Sequence, residues 1–117
     1  MAKKNHNWTW YFKKANERNI TLLINFKKHL QFREITEKSI FEYQKDVYNF
    51  MVWLQDKNIG ILDATIDMLI EYMNTLEISE SRKTRILSSL NQFYKLNSRK
   101  KYCEKNLIEE YKKNSNR

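Results

Sequence analysis

A chain of 117 residues, 41% hydrophobic and 31% charged, is sized for one domain with a single buried core and is too apolar for a disordered tail. One glycine and no proline leave too few turn residues for a sheet protein, whose strands end every eight to twelve positions or so, and the composition points to helices. A net charge of +8 sets an anionic partner as the first expectation, while a lone cysteine and the lack of a long apolar run or signal-like N-terminus argue against a disulfide scaffold, a membrane span or export.

Residues 1–18 set Trp8, Trp10, Tyr11 and Phe12 among Lys3, Lys4, Lys13, Lys14 and Arg18, with a charge balance of +4. Interleaved cations and rings are able to stack on bases, but packing onto neighbouring helices as an N-terminal strap is the favoured reading. A first helix is expected from Asn19 or Thr21 to Arg33, with Leu22, Leu23, Phe26 and Leu30 on one face. Thr36 is a natural N-cap for a second helix, whose core side carries Ile40, Val47, Phe50 and Leu54 with Tyr43 at the edge. That helix is expected to end near Lys57, with Gly60 supplying a left-handed turn.

Asp63 or Thr65 opens a short third helix through Leu76, acidic at Asp67 and Glu71 and apolar at Met68, Leu69, Tyr72 and Met73. A fourth helix is expected from Ser79 or Ser81 to about Asn97, burying Ile86, Leu87, Leu90, Phe93 and Tyr94. Residues 98–117 read as a basic final helix or linker around Leu107, Ile108 and Tyr111. The domain proper is therefore expected over 19–97. Charge divides along the same lines: residues 19–79 hold six basic and nine acidic side chains, whereas 80–95 carry +3 and 98–117 carry +4. A basic surface on a slightly acidic body is the footprint of a nucleic-acid binder.

The fourth helix is the most informative. Arg82, Arg85, Ser88, Ser89 and Gln92 occupy roughly a third of its circumference away from the apolar stripe, and Ser81 and Lys83 stand in its first turn. Guanidinium forks, hydroxyls and amides are the groups that bind phosphate oxygens and base edges, and a helix N-terminus adds free amides. On their own, a solvated face and a DNA-binding face explain this pattern equally well. The second helix repeats it more weakly with Lys38, Ser39, Glu42, Lys45, Asp46 and Asn49; Glu42 is spaced to pair with the lysines at rest. No glycine-rich phosphate loop or HExxH occurs, and Cys103, His6 and His29 are too scattered for a zinc site, so no catalytic residue, metal or cofactor is expected.

The order of residues is more specific than their composition. From Thr21 to about Lys113 the chain resembles the core-binding, SAM-like domain of tyrosine recombinases, the phage-integrase and Xer family. ITEKSIFEYQKDVYNFMVWLQDKNI matches the second-helix pattern: Thr36 and Ser39 at hydroxyl positions, Tyr43 at the tyrosine, Lys45 and Asp46 at the Arg/Lys-Asp pair, then Val47, Phe50, Trp53 and Leu54. DATIDMLIEYM resembles the third helix and SESRKTRILSSLNQFYKL the fourth. Where the family usually has Asn-Pro after the last helix, this chain has Lys105-Asn106-Leu107, and residues 1–18 have no counterpart.

The resemblance implies an all-α, four- to five-helix orthogonal bundle that clamps double-stranded DNA, with the second and fourth helices in the major groove. The residues expected to contact DNA are Lys38, Ser39, Tyr43, Lys45, Ser81, Arg82, Lys83, Arg85, Ser88, Ser89 and Gln92. In this family the catalytic residues lie in a separate C-terminal domain, and with no His-x-x-Arg motif here the expectation is the clamp without the enzyme. Expected partners are duplex DNA and, on DNA, the catalytic domain of the same protein and other recombinase protomers; the isolated chain is expected to be monomeric and cytoplasmic, bacterial or phage-encoded. The alternatives are a stand-alone accessory protein of a mobile element, a helical protein-interaction module and a helical RNA-binding adaptor.

Overall fold

A computed structural model describes residues 11–103 and 106–115, and among them every regular element is helical. The elements are α1 (Glu17–Phe32), α2 (Glu37–Gln55), a 3-10 turn (Ile61–Asp63), α3 (Ile66–Thr75), α4 (Glu80–Arg99) and α5 (Leu107–Ser115). This is the all-α bundle the sequence predicts. Trp8, Trp10 and the lysines before them lie outside the described residues.

Each helix starts where a short polar side chain can take up a free amide. Asn16 accepts from the Asn19 amide at 2.9 Å, Thr36 from Ser39 at 3.2 Å, Thr65 from Met68 at 3.3 Å and Ser79 from Arg82 at 3.2 Å. Asn106 caps α5 by accepting from the Ile108 amide at 2.9 Å, and its own amide donates to Asn91 of α4 at 2.7 Å. Such caps are worth about 1 kcal/mol each. The residue standing near the family's usual Asn-Pro therefore starts a helix by capping it.

The helix ends differ from expectation. Gly60 is extended, with φ −75°, and the left-handed residue after α2 is Asn58, with φ 63°. The Asn58 amide donates to Gln55 at 2.9 Å and the Ile59 amide to Leu54 at 3.0 Å, the crossed pair of bonds of a Schellman motif. The same closure ends α1 at Glu34 (φ 61°) and α4 at Lys101 (φ 64°). There the Ile35 amide reaches Leu30 at 3.1 Å and the Tyr102 amide reaches Asn97 at 2.8 Å. A sequence with one glycine thus closes three helices with side-chain-bearing residues, at roughly 1–2 kcal/mol of steric strain for each.

The eight residues expected in one core, Phe26, Leu30, Val47, Phe50, Leu54, Leu69, Leu90 and Phe93, are all fully buried in a single cluster. The cluster extends past 19–97 in both directions. Phe12 is buried against Phe41 and Tyr48, with ring centroids at 5.8 and 4.9 Å, as the strap reading anticipates. Gln55 ties the same segment down, donating to the Lys14 carbonyl at 2.9 Å and accepting from the Asn16 amide at 2.9 Å and the Asn19 side chain at 2.8 Å. At the other end Leu107 and Ile108 are buried, so α5 packs on α3 and α4 as part of the bundle.

This packing sets the expected response to substitution. Phe12→Ala should destabilise the chain by about 3–5 kcal/mol in urea unfolding, the usual result of emptying a buried aromatic site. Glu34→Gly and Lys101→Gly should each stabilise it by about 0.5–1 kcal/mol, the relieved left-handed strain exceeding the entropy a glycine loses on folding.

Candidate nucleic-acid interface

Helices α2 and α4 pack along each other, and one buried carboxylate sets their register. Asp46, 4% exposed, accepts from the Ser89 hydroxyl at 2.7 Å and from the Arg85 guanidinium at 3.2 Å. Arg85 also reaches Glu42 at 3.5 Å, and Glu42 pairs with Lys45 at 3.4 Å. The result is a chain of charges, Lys45–Glu42–Arg85–Asp46, ending on a buried serine. Asp46 also helps to push the Tyr72 phenol up to about 12, although burial of the ring is the larger cause. Burial likewise raises the phenol of Tyr94, whose hydroxyl donates to the Ile61 carbonyl at 2.6 Å.

This register fixes the rotation of α4. At about 100° per residue, Ser81, Arg85, Ser88, Gln92, Lys95 and Arg99 fall within about 40° of one line along the helix. All six lie at the surface, Gln92 partly covered. Arg82 is exposed to one side of that line, and Lys83 is half-buried. Ser89 is different. At 1% exposure and bonded to Asp46, it lies beneath the surface and is corrected from a contact residue to a positioning residue. On α2, Lys38 and Ser39 are exposed in the first turn, Lys45 is half-buried with its ammonium 5.9 Å from the Phe41 ring centre, and Tyr43 packs its ring against the core.

The surface stripe extends further than the residues singled out from the sequence. Lys95 and Arg99 continue it on α4, and the positions i+3 and i+7 from Gln92 were the signal for them. Arg33, at the end of α1, donates to Gln92 at 2.7 Å and joins the same surface from another helix. No sequence spacing links residues fifty-nine apart, so this contact belongs to tertiary structure alone. The arrangement offers guanidinium, ammonium, hydroxyl and amide groups on one solvent-facing strip, the equipment for holding a phosphodiester backbone. Among the described residues no cluster of His, Cys, Asp and Glu suits a metal, and no helix is long and apolar enough to cross a membrane.

The profile of the phage integrase N-terminal SAM-like domain matches residues 23–101. No curated protein and no solved structure matches the chain.

The Asp46 bridge makes an asymmetric prediction. Asp46→Ala leaves the buried Ser89 hydroxyl without its acceptor and should lower stability by about 1–3 kcal/mol in denaturant unfolding. Glu42→Ala removes partly exposed pairs only, and its effect should stay below about 1 kcal/mol.

Proposed function

The chain belongs to the phage integrase N-terminal SAM-like domain family, and on that premise we propose that it grips double-stranded DNA at a recombination site through α2 and α4. The observation that carries the reading is the solvent-facing strip of Ser81, Arg85, Ser88, Gln92, Lys95 and Arg99 on α4, with Arg82 beside it and Lys38, Ser39 and Lys45 on α2. In this reading the cutting and joining of strands belongs to a recombinase catalytic domain, and these residues hold the duplex for it. Other recombinase protomers on the same DNA are the natural protein partners.

The resting ion pairs do not oppose this role. Partly exposed pairs such as Glu42–Lys45 are worth about 1 kcal/mol or less each, less than the counterion release that accompanies phosphate binding at low salt. Arg85 is 44% exposed, so part of its guanidinium faces solvent even while it holds Asp46. Lys45 and Arg85 turn to phosphate by giving up Glu42. Asp46 keeps both Ser89 and Arg85.

In the test, duplex affinity is measured across a salt series for the Arg82→Ala/Arg85→Ala chain. Arg85→Ala also withdraws one partner of Asp46, so circular dichroism accompanies each measurement to keep unfolded protein out of the comparison. Binding should weaken strongly, and the log–log salt slope should flatten by about 0.9 for each phosphate no longer neutralised. Asp67→Ala/Glu71→Ala on α3 should bind as well as wild type or slightly better. Glu42→Gln should bind more tightly, because it releases two cations and removes a negative charge. A folded Arg82→Ala/Arg85→Ala chain with wild-type affinity would sink the proposal and favour the protein-interaction alternative.

A further inference from the structure

A second cationic surface lies where the end of α1 meets the end of α4. Arg33 is anchored there by its 2.7 Å bond to Gln92, and His29, one turn earlier on α1, is half-buried beside Arg33, Arg99 and Lys100. Among the described residues Lys28, Arg33, Arg99 and Lys100 form no ion pair, in contrast to Lys45 and Arg85. Glu34, the adjacent acid in sequence, is exposed and likewise makes no such pair. Phe32 stands between Lys28 and Arg33 with 87% of its surface in solvent, the most exposed large hydrophobic residue described. Its ring contributes little to the core.

We infer that this corner is a second contact for the DNA backbone: Arg33, Arg99 and Lys100 hold phosphates beyond those met by Arg82 and Arg85, and Phe32 lies against the adjoining sugar or base edge. The inference rests on the duplex-binding reading and extends it from Arg99, the last residue of the α4 strip, to Arg33, Lys100 and Phe32. Charge complementarity identifies the occupant, since three cations with no acidic partner among the described residues and an open ring suit a polyanion with apolar sugars. The geometry allows one duplex to reach both places. Arg85 and Arg99 are fourteen residues apart on one face of α4, which is about 21 Å of helix, or roughly six base pairs of duplex rise.

His29 offers a second readout of the corner. Burial lowers its pKa most, and the charges of Arg33, Arg99 and Lys100 lower it further, so in the free protein the imidazole is mainly neutral at pH 7. A phosphate brought among these cations offsets their repulsion and raises that pKa.

The experiment uses the full chain and a random-sequence DNA duplex long enough to span both places, with Arg33→Gln/Arg99→Gln/Lys100→Gln compared against wild type over a salt series. Affinity should fall and the slope should flatten by between two and three units, at about 0.9 per phosphate. Phe32→Ser should lower affinity several-fold with the slope unchanged, because an apolar contact releases no counterions; its exposure makes a folding defect unexpected. The His29 NMR titration midpoint should rise when the duplex is added. If both variants bind as wild type while Arg82→Ala/Arg85→Ala is weakened, the second contact is wrong and the α2–α4 reading stands. If wild-type chain binds no duplex, both readings fall together.

Discussion

A carboxylate placed in a protein interior costs several kcal/mol unless each of its oxygens finds a partner. Asp46 finds both partners on α4, one oxygen on Ser89 and the other on Arg85. Few rotations or translations of α4 against α2 satisfy that demand. Once it is met, Phe93 lies edge-on to Phe26 of α1 at 5.6 Å, Tyr94 reaches back to the 3-10 turn, and Gln92 is presented to Arg33. Much of the bundle, and all of the candidate interface, is arranged around this one pairing.

The neighbouring residues Lys45 and Asp46 show why such a pair is divided between charges. About 100° of helix separates them, so one turns outward to Glu42 and the other inward to α4. The positive member belongs to the surface and is held by a contact that phosphate can replace. The negative member belongs to the interior, bonded to Ser89 and Arg85. A single helical turn thereby joins a fixed framework to an exchangeable set of charges.

Helix positions, the Thr36 cap and the shared core were legible in the sequence because each depends on local chemistry, and Thr65 and Ser79 were each one of two expected starts: all three precede amides they can reach, and three-four apolar spacing finds Leu90 and Phe93. Three things were not legible, each for a physical reason. Ser88 and Ser89 are chemically alike, and only the Asp46 contact, forty-three residues away, decides which faces inward. Gly60 drew the left-handed turn because glycine bears it most cheaply, yet backbone hydrogen bonding placed that conformation at Asn58, Glu34 and Lys101. The final helix is short and strongly charged, and its place in the bundle rests on Leu107 and Ile108 meeting a surface that exists only after α3 and α4 are in place.

The distance along the chain between Asp46 and Ser89 also bears on the order of events in time. The Schellman closures join residues five apart and can form within a single helix end, whereas the Asp46 bond must close a loop of more than forty residues. Loop closure carries an entropic penalty that grows with length, so contacts of this kind are late in folding relative to helix ends and the α1–α2 hairpin. The direction in which the strip on α4 faces is therefore a property of the completed bundle. A partly folded chain with α4 formed has the cations in line along the helix, but only the Asp46 contact decides which way that line faces.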